Sequence, residues 1–440
     1  MHHDRPGRVL ALLAGTIGVL ALAIGVGAAV GPGPMAGAGL PAPASTAAPM
    51  PVQPGSLRVD ELRVIRLSPD AMSLLVHTNQ PSQIRLTYRA DGSEPRTVST
   101  DTETAHRLSL TDLRPGMRYE YRAQPVDPGT GAVGVAETAW FRTPEPGKRA
   151  CAFGVIGDTH ADSTAVIQQL IRLDLDFLLT TGDNVEMNVS GLTPEGAAEV
   201  WRHYFNQLMP ISSRVPVYIT LGNHDLSVNH QSVALAAFYS EVAPYLPSPS
   251  TMYSFDCGDA HFTVLDTETD NNAIHEIQRN WLGSDLRQTK KPLKIIVSHR
   301  PVIGTDENRT LYFPDGRVLG GGGWGFVGGS SWNFRGMLAG WGVAASFSGH
   351  RHVYNRYIKD GIVYFINPSA SVGQALSANP PSSGDFEFAY PNVGGDAGTI
   401  AYALAKTGFL YGRVAEGAMT ITALDADGNV MDIYPVRGRP

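Results

Sequence analysis

Five times along this chain, a short apolar run ends in a small cluster of side chains that bind metals. Phe153–Ile156 leads into Gly157-Asp158-Thr159-His160, Phe177–Leu179 into Gly182-Asp183-Asn184, and Val217–Ile219 into Gly222-Asn223-His224-Asp225. Ile295–Val297 leads into Ser298-His299, and Val343–Phe347 into Gly349-His350-Arg351-His352. Runs of this length with β-branched and aromatic residues read as buried strands. In open α/β sheets, ligands bind in the crevice beyond the carboxyl ends of the strands. Five strand ends carrying Asp, Asn and His therefore predict one metal site.

The ligand types narrow the metal. Asp158, His160, Asp183, Asn223, His299, His350 and His352 form a mixed oxygen and nitrogen set. Such a set suits zinc, manganese or iron rather than calcium or a thiolate-selected ion. Seven candidates are too many for one small ion and match two ions sharing a carboxylate. Two metals roughly 3.5–4 Å apart can clamp the attacking and leaving oxygens of an in-line phosphoryl displacement.

The order Asp-x-His, Gly-Asp, Gly-Asn-His-Asp, His, Gly-His-x-His resembles the calcineurin-like metallophosphoesterase superfamily over Phe153 to Tyr354. Any one motif arises easily by chance, whereas five in order at strand ends is a specific signal. His299-Arg300-Pro301, the stretch His350-Arg351-His352-Val353-Tyr354-Asn355-Arg356, and Tyr253-Ser254-Phe255-Asp256 are similar to the purple-acid-phosphatase-like branch. That branch implies an α/β catalytic domain with a β-sheet sandwich flanked by helices. It also implies hydrolysis of phosphate esters, with phosphomonoesters expected first. A phosphodiesterase is the enzymatic alternative, because Asp-x-His with Gly-Asn-His-Asp also resembles the cyclic-nucleotide diesterase branch. A surface protein that binds phosphate ligands without catalysis is the non-enzymatic one.

By resemblance, one metal is held by Asp158, His160, Asp183 and His352, and the other by Asp183, Asn223, His299 and His350. Asp183 would bridge, and a hydroxide between the metals would attack phosphorus. His224 is implied as general acid or phosphoryl stabiliser, with Asp225 orienting its ring. True purple enzymes carry a Tyr three residues after the second-motif Asp and lack the His of the first motif. Here those positions are Glu186 and His160, so a colourless site is expected, with Glu186 a solvated loop residue and Asn184 an ordinary loop Asn. His203, His230, His261 and His275 lack partner patterns and read as ordinary histidines.

The remainder of the chain reads as several domains, as 440 residues demand. Arg5 and Arg8 precede an uncharged apolar run from Val9 to Val30, which reads as a signal peptide or membrane anchor over residues 1–30 and implies export. Residues 31–56 are rich in Pro, Ala and Gly and read as a linker. Residues 57–146 alternate as strands in Ile84–Tyr88 and Tyr119–Ala123, with turns at Asp91-Gly92 and Pro115-Gly116. Leu113–Tyr119 resembles the tyrosine corner of fibronectin type III domains, so an all-β sandwich is expected there, serving as a rigid scaffold. Residues 147–440 are the expected catalytic domain, closed by C-terminal antiparallel strands. The glycines at 320–323, with Trp324 and Phe326, read as a flexible loop, with gating of the site as the alternative. A net charge of -7 argues against a nucleic-acid partner, leaving a small phosphate ester as the expected one. Cys151 and Cys257 read as two separate buried residues, with one bridge as the alternative.

Overall fold

The computed structural model describes residues 56–160, 162–227, 229–269, 276–302, 310–312, 318–320, 331–371, 387–388, 399–404 and 406–439. The expected leader, most of the linker, His275 and the tract 321–330 with Trp324 and Phe326 lie outside the described residues.

The first region is all β. Its strands are β1 (Val59–Leu67), β2 (Met72–Ala90), β3 (Arg96–Ser99), β4 (Glu103–Leu110), β5 (Arg118–Val126) and β6 (Glu137–Arg142). β2 is long enough to serve two sheets. Its first half pairs with β1 and β4, its second with β3 and β5, and the register shifts between His77 and Ser82. Leu74, Val76, Ile84, Leu86, Tyr121 and Phe141 fill the core between them. The expected corner is present: the Arg114 amide donates to the Tyr119 hydroxyl at 2.7 Å.

The second region contains β7 (Cys151–Ile156), α1 (Thr164–Leu170), β8 (Phe177–Thr180), α2 (Pro194–Ser212), β9 (Val217–Tyr218), α3 (Gln231–Glu241), β10 (Tyr253–Cys257) and β11 (Ala260–Val264). It continues through α4 (Glu276–Gln288), β12 (Leu293–Val297), β13 (Thr310–Tyr312), β14 (Val318–Gly320), α5 (Ser331–Gly340), β15 (Val343–Ser348), β16 (Tyr354–Lys359) and β17 (Ile362–Ile366). β18 (Glu387–Phe388), β19 (Thr399–Leu404), β20 (Gly408–Ala415), β21 (Ala418–Asp425) and β22 (Val430–Arg437) complete it.

These strands form two facing sheets. One runs β22-β21-β20-β7-β8-β9, the other β10-β11-β12-β15-β17-β16-β19-β18. Phe153 and Phe177 of the first meet Phe262 of the second edge-on at 5.1 and 5.2 Å, which locks the sheets together in a geometry aromatic pairs favour. The five metal-motif strands are therefore split, with β7, β8 and β9 parallel in one sheet and β12 and β15 parallel in the other. The crevice lies at the shared end of a sandwich rather than within one open sheet.

Helices cover the outer faces. Thr193 caps α2 by accepting from the Gly196 amide at 3.1 Å, with Pro194 at the first helical position. Leu282 and Leu286 of α4 and Leu338 of α5 pack with Ile296, Val343 and Tyr364 on the outer face of the second sheet. Ile277 does not join them. It is 76% exposed, and Gln278 is buried beside Leu282 instead, donating to Asp266 O and accepting from Asp266 N.

The N-terminal strands pack on α2 and α3. Ser212 donates to Leu62 O and Tyr121 to Ser213 O, while Arg63 donates to Glu241 O and lays its guanidinium 3.6 Å from the Phe205 ring centre. Cys151 and Cys257 are bonded to each other, with S–S 2.02 Å, so the expectation of two separate thiols is corrected. The bond joins the start of β7 to the β10–β11 turn, which links the two sheets. Sequence separation hid this pairing; the sandwich brings residues 106 apart into contact.

Candidate metal centre

Each strand end turns sharply to present its donors. Asp158, His160, Asp183, His350 and His352 all adopt positive φ, between 27° and 72°. This left-handed conformation costs non-glycine residues energy, and such strain persists where the surroundings over-determine it. The neighbouring glycines have a steric reason. Gly182, at φ 90°, lies where a Cβ would strike the His299 ring, and a Cβ at Gly222 would strike the Asp183 amide. The loops are also stitched to one another. Asp158 N donates to Gly182 O at 2.9 Å, Gly349 N to His299 O at 3.0 Å, and His350 N crosses between sheets to Asp158 Oδ1 at 2.9 Å.

The seven expected ligands come together in two corners that meet at Asp183. In one corner, His160 Nε2 lies 3.3 Å from His352 Nε2 and 3.5 Å from Asp183 Oδ2, and His352 Nε2 lies 3.4 Å from Asp158 Oδ1. In the other, His299 Nε2 faces Asp183 Oδ2 at 3.2 Å, Asn223 Oδ1 at 3.0 Å and His350 Nδ1 at 3.1 Å. His299 Nδ1 donates to Thr181 O at 2.9 Å, which leaves Nε2 as the nitrogen turned into the corner.

Donors packed this way need a positive centre among them. A proton can supply it: burial works against a charged His299, but Asp183 overcomes this and pushes its pKa up to about 10. Asp183 responds in kind, held well below the carboxylate range by His299, His160 and His224 despite its burial. His350 is driven the other way by burial and by the charges on His299 and Arg300. Burial also lowers His160, against the pull of Asp183 and Asp158. A mixed set of imidazole, carboxylate and amide oxygen donors is equally the chemistry that suits zinc, manganese or iron, so the residues present fit a pair of such ions.

Three expectations about the surrounding residues, Asp225, Asn184 and Glu186, are overturned. Asp225 does not reach the His224 ring. Fully buried, it accepts from the amides of Asn184, Val185 and Gly222 and from Asn184 Nδ2, at 2.7–2.8 Å. Burial and the neighbouring Asp183 charge raise its pKa, opposed by those N–H donors. Asn184 is no ordinary loop residue either, since its side chain also binds Thr220 O and Tyr204 Oη. The carboxylate on His224 is Glu186, whose Oε2 lies 2.6 Å from His224 Nδ1. Glu186 sits three residues past Asp183, the position where the resembled branch has its Tyr, and that spacing was the available signal.

Arg300 is a further residue the motifs left without a role. Buried, it forks onto Glu268 Oε2 at 3.0 Å through Nε and Nη2 and sets Nη1 3.2 Å from His350 Nε2. Of the unassigned histidines, His203 contacts Gln207, His230 precedes α3, and His261 lies between Asp256 and Asp285. None joins the centre.

The calcineurin-like phosphoesterase profile matches residues 152–354. Purple acid phosphatase 15 of Arabidopsis thaliana is 24% identical over 57% of this chain and 49% of its own length. Acid phosphatase type 7 of Homo sapiens is 26% identical over 45% of each. Probable inactive purple acid phosphatase 9 of Arabidopsis thaliana is 25% identical over 44% of this chain and 36% of its own length. The chain thus spans half or less of these three relatives. The solved structure of PhoD superposes with a TM-score of 0.61 over 86% of this chain and 90% of that one; at 13% identity this likeness is one of fold. The chain carries a calcineurin-like phosphoesterase domain behind an N-terminal all-β region, and purple acid phosphatases are among its relatives in sequence.

Proposed function

We propose that the chain is an exported, two-metal phosphoric ester hydrolase acting on phosphomonoesters. The observation that carries this reading is the place of Asp183 Oδ2, 3.5 Å from His160 Nε2 and 3.2 Å from His299 Nε2, where one carboxylate can serve both corners. Asp158, His160, Asp183 and His352 would hold one ion, and Asp183, Asn223, His299 and His350 the other. Two such ions supply Lewis acidity to the phosphoryl oxygens and a nucleophile at neutral pH.

The chain's own residues do the rest. Glu186, accepting from His224 Nδ1, leaves Nε2 as the nitrogen that delivers a proton to the departing alkoxide as the P–O bond breaks. Asp225 holds the loops that carry Asp183 and Asn223 at a fixed separation through its bonds to Asn184, Val185 and Gly222. The relatives' names as acid phosphatases favour monoesters. The Cys151–Cys257 bond supports export, because such bonds persist in oxidising compartments. No helix among the described residues is long and apolar enough to cross a membrane.

A second reading, a phosphodiesterase, draws on His160, which joins the Asp183 corner where the purple branch has no such His. Hydrolysis of an aryl phosphate monoester and its diester, after zinc, manganese or iron loading and beside Asn223→Ala, tests both. Monoester turnover lost in the variant is the expected result. A dominant diester rate promotes the second reading, and metal loading without turnover of either overturns the enzyme in favour of a phosphate-binding protein.

A further inference from the structure

A third set of donors converges at the edge of the two corners. Glu186 Oε2 lies 2.6 Å from His224 Nδ1 and 4.0 Å from His160 Nδ1, and the three residues bring donor atoms within 4.8 Å of one another. The His160 and His224 rings meet edge to face, with centres 4.4 Å apart. Two imidazoles and one carboxylate make a donor set that binds zinc-like cations.

We propose that Glu186, His224 and His160 form a third divalent-cation site whose filling inhibits hydrolysis; the inference rests on the two-metal reading above. Accessibility separates this position from the corners. Side-chain exposure is 38% for Glu186 and 36% for His224, against 2% for Asp183 and 0% for His299. A cation therefore reaches it directly from solvent. His160 links the positions, since its Nε2 faces Asp183 and His352 while its Nδ1 faces Glu186. Three dications within a few ångströms repel one another, so the third binds more weakly than the first two.

The inhibitory effect follows from the hydrogen bond that is lost. A cation at this position would take Glu186 Oε2 and the Nδ1 lone pairs of His224 and His160; both Nδ1 protons would leave to solvent, His160 serving the first corner and this position together as an imidazolate. His224 is then tied through a metal bond, its ring no longer oriented by the carboxylate. Delivery of a proton to the leaving alkoxide falls as the site fills.

Titration of the metal-free full chain with Co²⁺ tests this, followed by visible absorption and by equilibrium dialysis. Zn²⁺ inhibition of aryl phosphate hydrolysis is measured beside it, each protein normalised to its own uninhibited rate. The expected wild-type result is three bound ions, with the third weaker by roughly tenfold or more and inhibition following its occupancy. In Glu186→Gln two tight ions are retained, while the third and the inhibition weaken together by about tenfold. A wild-type chain that binds two ions and no more overturns this inference alone, as does a Glu186→Gln protein that keeps the third ion unchanged. Fewer than two ions in the wild type overturns the two-metal reading, and this one with it.

Discussion

Glu186 Oε2 and His224 Nδ1 lie 2.6 Å apart, at a position where the resembled phosphatases place a metal-binding Tyr. A carboxylate accepts and an imidazole N–H donates, so this pair selects the His224 tautomer whose Nε2 is turned away from Glu186. Glu186→Ala is expected to lower kcat by roughly 10–100-fold, as loss of an orienting carboxylate does. The loss should be larger for an alkyl phosphate, whose leaving group needs the proton, than for a nitrophenyl phosphate. Equal losses on the two esters would remove the general-acid role.

Asp183 is the residue on which both corners depend. Asp183→Asn keeps the volume and removes the charge that balances His299 and, on the two-metal reading, both cations. Bound metal, measured by elemental analysis, should fall from two ions to one or none, with hydrolysis reduced by roughly 10²-fold or more. Retention of two tight ions would show that the corners do not share this carboxylate.

Asp225→Ala should act on stability rather than on leaving-group preference. The change strands the buried amides of Asn184, Val185 and Gly222, at a cost of about 3 kcal/mol or more. The denaturation midpoint should drop, and any residual activity should show the wild-type ratio between alkyl and aryl esters. A selective loss on alkyl esters would return Asp225 to a direct role at His224.

His261 predicts a pH dependence far from the metal centre. Its Nδ1 and Nε2 donate to Asp256 and Asp285 at 2.7 and 2.9 Å, and these bonds overcome burial to raise its pKa to about 9. Lys291, 3.9 Å from Asp256, is the other charge nearby. The folded value exceeds the unfolded one of about 6.5, so the stabilisation is complete below that pH and is lost as pH rises through about 9. After solvent screening, the loss is on the order of 1 kcal/mol. Thermal midpoints should fall from pH 6.5 to 9.5 in the wild type and change less in His261→Gln; parallel curves would show that His261 does not carry the effect.

The disulfide closes a loop of 106 residues. Chain-entropy reasoning gives such a bond about 4–5 kcal/mol, an upper figure because denatured chains retain structure. Cys151→Ser with Cys257→Ser, or treatment with a reductant, should lower the thermal midpoint. An unchanged midpoint would show that packing between the sheets alone holds β7 to the β10–β11 turn.

Local pattern carried much of this protein. The five apolar runs became β7, β8, β9, β12 and β15, because continuous apolar segments have no stable place except a doubly covered sheet. Their glycines and following donors marked the turns, since those loops approach one another too closely for a Cβ at Gly182 or Gly222. The Tyr119 corner was legible for a similar reason: it depends on contacts a few residues apart.

Tertiary structure alone decided which partner each polar group found. The bond between Cys151 and Cys257, the exposure of Ile277, the turning of Asp225 toward amides and the pairing of Glu186 with His224 all depend on long-range placement. Sequence determined which side chains could donate, accept or bind a metal. A buried carboxylate then goes to whichever N–H groups the fold delivers to it, and for Asp225 the folded loops delivered amides, leaving the His224 ring to the more exposed Glu186.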